Sequence, residues 1–87
     1  MKGLLMSQIK QFYGASWCGD CIRSKTFLDS HGIDFPYIDI DSDPTAADKV
    51  IELNNGNRSI PTIVFDDGDV LVEPSNVILA KKLGLEL

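Results

Sequence analysis

Two cysteines separated by two residues, Cys18-Gly19-Asp20-Cys21, stand between a short β-favouring run and a segment free of proline and glycine. No other feature restricts the fold of this chain as tightly. Residues 9–13 favour a strand that stops at Gly14-Ala15-Ser16. In residues 21–30, Ser24, Phe27, Leu28 and then His31 fall at helical spacing, and Gly32 follows as the stop. Residues 35–40 read as a second strand, with Pro36 near its start or on a sheet edge. Asp43 then Pro44 fits a helix N-cap followed by proline at the first helical position, and Ala47, Val50, Ile51 and Asn54 carry the rhythm to Asn55-Gly56. Thr62 to Phe65 and Val70 to Val72 flank Asp66-Asp67-Gly68-Asp69, a hairpin signal. Ser75 caps a last helix that runs through Leu83 to a stop at Gly84.

The expected order is β-α-β-α-β-β-α. A right-handed crossover makes the first two strands parallel and the closing hairpin antiparallel, giving a four-stranded mixed α/β sheet flanked by helices. With 87 residues there is room for one domain. Met6 offers a second start, which would leave residues 1–5 as a disordered extension before a single domain over 6–87. The net charge of −5 argues against nucleic acid as a partner, because phosphate neutralisation needs clustered Lys and Arg. The adjacent pair Lys81-Lys82 instead complements a helix C-terminus. No apolar run is long enough to span a membrane. Met1 to Met6 starts like a signal peptide, but the polar Ser7-Gln8-Ile9-Lys10 interrupts any apolar core, so a cytoplasmic address is expected. In a reducing cytosol two cysteines are catalytic or metal-binding more often than a structural staple.

Cys18 falls where loop becomes helix, at backbone N–H groups that lack intrahelical partners and at the positive end of the dipole. A thiolate there is stabilised, and the thiolate is the attacking species in disulfide exchange. Cys21 faces the same side one turn further in, so Cys18 is the expected nucleophile and Cys21 the resolving thiol. Zinc would need about four ligands. The chain has two Cys and one His, and His31 lies at the far end of the same helix, so no metal site is expected. Two inert buried cysteines are a further alternative, which Gly19 and Asp20 oppose because they suit an exposed helix start. Asp20 favours the helix while opposing a nearby thiolate.

Ile60-Pro61-Thr62 opens a strand. A cis bond would present the Ile60 backbone beside Cys18 for an extended thiol substrate to pair with, whereas a trans proline would simply start an edge strand. Trp17 and Tyr13 flank the motif, and Tyr13 at a strand end also fits plain core. Arg58 suits either a thiol carboxylate or solvent. Ser75 and Asn76 begin the last helix, whose N-terminus is a ready anion site, although Ser75 also works as a cap alone.

Ser16-Trp17-Cys18-Gly19-Asp20-Cys21, Asn57-Arg58-Ser59-Ile60-Pro61-Thr62 and Glu73-Pro74-Ser75 together resemble glutaredoxin-like proteins, specifically the actinobacterial mycoredoxins. The resemblance covers nearly the whole chain from Ser7. It implies a thioredoxin fold, a cis-proline at Pro61 and reduction of mixed disulfides between proteins and a low-molecular-weight thiol, mycothiol in mycoredoxins. Mycothiol acts as co-substrate with no tightly bound cofactor, and mycothiol disulfide reductase returns electrons from NADPH. The resemblance implies that Cys18 attacks the mixed disulfide and a second mycothiol regenerates the enzyme, with Cys21 forming a protective or side-path disulfide with Cys18. Trp17, Gly19, Asp20, Arg58, Ile60, Pro61, Ser75 and Asn76 are the expected thiol or substrate contacts. A monomer acting on small thiols and disulfide-containing proteins is expected.

The chain also departs from its likenesses. Gly-Asp replaces the usual Gly-Tyr of mycoredoxins and Pro-Tyr of typical glutaredoxins, and Glu73-Pro74-Ser75 replaces the Gly-Gly turn where glutathione's γ-glutamyl end sits. Thioredoxins carry a buried Asp six residues before the first Cys; Phe12 stands there instead. Two other functions compete: a dithiol electron donor, for instance to ribonucleotide reductase and recycled by thioredoxin reductase, and an iron–sulfur cluster-binding module. Relatives of the latter kind usually have Ser at the second Cys.

Overall fold

The structure, a computed structural model, describes residues 8–85. The proposed extension over residues 1–5 lies outside them. The elements are β1 (Ile9–Gly14), α1 (Gly19–Ser30), β2 (Tyr37–Asp39), α2 (Pro44–Leu53), β3 (Thr62–Phe65), β4 (Val70–Val72) and α3 (Asn76–Leu83), in the expected order. The sheet runs β2-β1-β3-β4, with β1 parallel to β2 and antiparallel to β3, and β3 antiparallel to β4. Because β1 and β3 run in opposite directions, the end of one lies beside the start of the other. Cys18 and Pro61 meet for that reason.

Two clusters of side chains hold the layers. On one face Phe12, Ile63 and Phe65 pack with Leu28 of α1 and Leu79 of α3; on the other Tyr13 and Ile40 pack with Ala46 and Val50 of α2. Ile9 joins Phe12 on the first face although strict alternation would separate them. A register shift against β3 between Ile9 and Gln11 accounts for this, since one extra residue reverses the side-chain phase.

The start of α2 follows local chemistry closely. Asp43 accepts from the backbone N–H of Thr45 and Ala46, with Pro44 at the first position. In α3, Ser75 Oγ accepts from Ile78 N at 3.2 Å, and Gly84 turns left-handed at φ 70°, bringing Leu85 N to Ala80 O at 2.8 Å.

Two expectations need correction, and two further residues have surroundings that the sequence does not show. α1 begins at Gly19 rather than at residue 21, because Cys18 is its cap. β2 is shorter than residues 35–40, although bonds from Phe12 N to Pro36 O and from Ile40 N to Gly14 O continue the ladder on either side. His31 is exposed, because the buried stripe of α1 is Cys21, Ser24, Phe27 and Leu28 and the helix ends before the next turn. Its ring stacks beside Phe27 at 4.4 Å. Lys82 does more than complement a helix end: it pairs with Asp67 and Asp69 of the hairpin turn. Among the described residues, no helix is long and apolar enough to cross a membrane.

Candidate active site

Cys18 caps α1 with its own sulfur, which accepts from Cys21 N at 3.2 Å. The sulfur therefore sits at the opening amides of the helix. The Ile60-Pro61 bond is cis, and the Ile60 carbonyl oxygen lies 3.9 Å from Cys18 Sγ. Both cysteines are free thiols, with Cys18 8% exposed and Cys21 1%. The more accessible sulfur is the one at the cap.

Asn54 and Thr62 hold the Ile60 loop, and sequence patterning did not single out that contact. Asn54 Nδ2 donates to Thr62 Oγ1 at 2.9 Å, and Thr62 Oγ1 donates to Ser59 O at 2.7 Å. Thr62 is fully buried, so this polar chain is shielded from competing water. It joins the end of α2 to the start of β3 and sets where the Ile60 carbonyl points.

The other expected residues divide into two groups. Trp17 is 66% exposed, and its indole Nε1 donates to Asp41, whose other oxygen lies 3.5 Å from Arg58 Nη2. Asp41, in the loop after β2, therefore gathers Trp17 and Arg58 on one side of Cys18. Across α1, Arg23 Nη1 donates to Asn76 Oδ1 at 2.6 Å and Arg23 Nη2 to Pro74 O at 2.9 Å, and the latter nitrogen also lies 3.7 Å from Asp20. Asn76 and Ser75 are thus already engaged, by Arg23 and by the helix backbone respectively. They border a shallow depression of about 320 Å³ in which Asp20 and Glu73 place two carboxylates beside Arg23. Gly19 opens α1 at the surface, and a Cβ there would meet nothing within 4 Å, so neither space nor backbone shape demands a glycine. Arg23 and Asp41 had no periodic signature, since each bonds across the fold.

Cys21 resists ionisation. Burial pushes the Cys21 thiol up to about 12, reinforced by its hydrogen bond with Cys18 and by the charges of Cys18 and Asp20, with the backbone at Ala15 opposing. Cys21 is therefore a thiol at neutral pH. A raised folded value means that the proton is held more tightly in the folded chain. This contribution to stability is whole below the ordinary thiol value of 9.0 and is lost as pH rises towards 12. Reduced protein should accordingly melt at progressively lower temperature above about pH 9, by up to about 1.4 kcal/mol of stability per pH unit from this group. Cys21→Ala should flatten that slope in circular dichroism melts. Tyr13 and Tyr37, both raised chiefly by burial, leave a residual slope. Identical slopes in the two proteins would contradict the assignment.

Residues 6–70 match the glutaredoxin domain family. A protein of Mycobacterium tuberculosis named as a glutaredoxin is 44% identical over 63 residues, 72% of this chain and 75% of its own length. Mycoredoxin 1 of Corynebacterium glutamicum is 36% identical over 62 residues, 71% of this chain and 76% of its own length. The crystal structure of a thioredoxin-like protein superposes with a TM-score of 0.79 at 26% identity, covering 93% of this chain and all of the other. The expected thioredoxin fold is therefore present. Agreement over this much of the chain, in sequence and in backbone superposition alike, makes the protein a member of the glutaredoxin family, a family of thiol–disulfide oxidoreductases.

Proposed function

We propose that this protein reduces mixed disulfides between proteins and a low-molecular-weight thiol, with mycothiol as that thiol. The observation that carries the reading is the position of Cys18 Sγ, bonded by the Cys21 amide and facing the Ile60 carbonyl. Cys18 thiolate attacks the small-thiol sulfur of the mixed disulfide, and the protein thiolate leaves with the bonding electrons and takes a proton from solvent. A second small thiol, as thiolate, then attacks the Cys18-bound one, releasing the symmetrical small-thiol disulfide and reduced enzyme. That product is returned to thiol by an NADPH-dependent mycothiol disulfide reductase, so the protein needs no tightly bound cofactor. The reducing cytoplasm is the compartment in which this monomeric cycle runs.

The surface around Cys18 suits a small polar thiol with an attached protein. The Ile60 backbone offers an acceptor to an extended segment. Trp17 offers an exposed ring, and Arg58 is a half-exposed cation beside it. Glu73 in place of a glycine turn puts a carboxylate near the start of α3, which disfavours glutathione's γ-glutamyl end. The likeness to Mycoredoxin 1 points the same way.

A second reading, a dithiol donor to a reductase such as ribonucleotide reductase with recycling by thioredoxin reductase, draws on the buried Cys21 thiol beside Cys18. One experiment separates these readings: turnover of a single protein substrate carrying mycothiol or glutathione as mixed disulfide, each with its own recycling reductase. The mycothiol form should turn over faster by at least about tenfold, the equivalent of one good polar contact. A preference for glutathione would overturn the mycothiol assignment. Turnover only with thioredoxin reductase would favour the dithiol donor.

A further inference from the structure

Gly14, the last residue of β1, leaves a notch in the sheet surface. A Cβ placed on it would stand 3.1 Å from Cys21 Sγ, 3.1 Å from the Tyr37 hydroxyl and 3.1 Å from the edge of the Phe12 ring. The resolving sulfur and the phenol therefore share one space, no further apart than twice that distance. Both also line an open depression of about 340 Å³ together with Lys25 and Asp29 of α1, which connects Cys21 to water. Tyr37 is fixed there by its place in β2 opposite Phe12, with the two rings 5.4 Å apart, and by Lys25 Nζ 5.1 Å over its ring.

We propose that Tyr37 is the positioning residue of the resolving step, its phenol O–H donating a hydrogen bond to Cys21 Sγ as that sulfur becomes a thiolate. The inference rests on the reading of Cys18 as nucleophile and Cys21 as resolving thiol. In that step the Cys21 S–H bond gives its proton to water in the depression. The thiolate then forms a bond to Cys18 Sγ, and the bond between Cys18 and the substrate sulfur breaks. The departing sulfur takes the electron pair and a proton from solvent. Cys18 and Cys21 end as a disulfide, and the substrate sulfur ends reduced.

The need for such a donor is plain from the surroundings. Cys21 is buried in an apolar cluster and lies near the carboxylate of Asp20 and the sulfur of Cys18, all of which oppose its ionisation. The groups facing Tyr37 are Cys21 and Cys18, Asp39 of its own strand and Lys25, with Asp29 on the rim of the depression. Burial keeps the phenol protonated, as a donor must be. Lys25 adds a positive charge on the solvent side of the same space. Phe12, where thioredoxins have a carboxylate, supplies no proton acceptor on β1.

Rapid mixing of reduced protein with excess dithiobis(nitrobenzoate) tests this directly. Cys18 releases one coloured thiolate as it attacks, and Cys21 releases a second as it closes the ring. Tyr37→Phe keeps the ring against Phe12 and Lys25 and removes only the O–H. The second phase should slow about tenfold at neutral pH, while the first phase serves as internal control. A fluorinated tyrosine at position 37, a stronger acid of nearly the same shape, should move the second phase the other way. Equal second phases in all three proteins would overturn the role of Tyr37. So would slowing in Tyr37→Phe with no faster second phase in the fluorinated protein, which marks a packing effect alone. A wild-type protein that releases one coloured thiolate and never a second would instead overturn the dithiol chemistry and this inference with it.

Discussion

Replacing Cys18 by serine should lower turnover with any mixed disulfide by at least about 10³-fold, because an alcohol at this position stays protonated and cannot exchange with sulfur. Cys21→Ser should behave differently. The donor that steadies Cys18 sulfur is the backbone N–H of Cys21, which survives any side-chain change. Exchange with a small-thiol mixed disulfide should therefore stay within about threefold of wild type, whereas reduction that requires a ring-closing thiol should fall as far as it does in Cys18→Ser. Steady-state oxidation of NADPH, coupled through the recycling reductase, measures both. Residual activity in Cys18→Ser above about one hundredth of wild type would remove the sulfur from the centre of the chemistry.

Truncating Phe12 to alanine should nearly unfold the domain. Phe12 is wholly buried in the central strand, paired with Tyr37 on one side and Ile63 on the other. Its ring meets those of Phe35 at 5.3 Å and Tyr37 at 5.4 Å. Phenylalanine-to-alanine changes in cores cost about 3–5 kcal/mol, a large share of the roughly 5–15 kcal/mol that holds a domain together. At about 4–8 °C per kcal/mol for a domain of this size, the melting temperature should fall by about 15 °C or more. Thermal melts followed by circular dichroism give the answer. A drop of only a few degrees would mean that the cluster closes over the space, and that the first face of the sheet is less rigid than its packing implies.

Much of the fold was legible in the chain because its punctuation is local. β3 and β4 lie at the expected bounds: Gly68, at φ 94°, supplies the left-handed turn residue, and β-branched side chains flank it. Asp43-Pro44 starts a helix by contacts within three residues. Spacing from Ser24 places Phe27 and Leu28 on the buried face of α1, as observed, and Cys21 extends the same face one turn earlier, while His31 falls past the end of the helix.

At the site, the cysteine pair and the Ile60-Pro61 stretch were visible because each is a contiguous motif. What organises them was not. Asp41 reaches Trp17 across 24 residues, and Arg23 reaches Asn76 across 53. Asn54 was placed only on the rhythm of α2, yet its amide secures the loop carrying the Ile60 carbonyl. Such contacts depend on sheet order, which hydrophobic periodicity does not encode. At the start of α3, Ser75 fills the cap role that the sequence offers it. A helix N-terminus invites an anion in principle, but here the Ile78 backbone N–H engages Ser75 and the Arg23 side chain engages Asn76.

Trp17 is the single indole of the chain and the immediate neighbour of Cys18. Its ring lies mostly in solvent and is tethered through one nitrogen to Asp41. All tryptophan emission therefore originates within one residue of the reacting sulfur. Steady-state fluorescence and anisotropy thus read that locality without a label, and docking of a partner on this face registers in light from a known atom rather than in an average over the molecule.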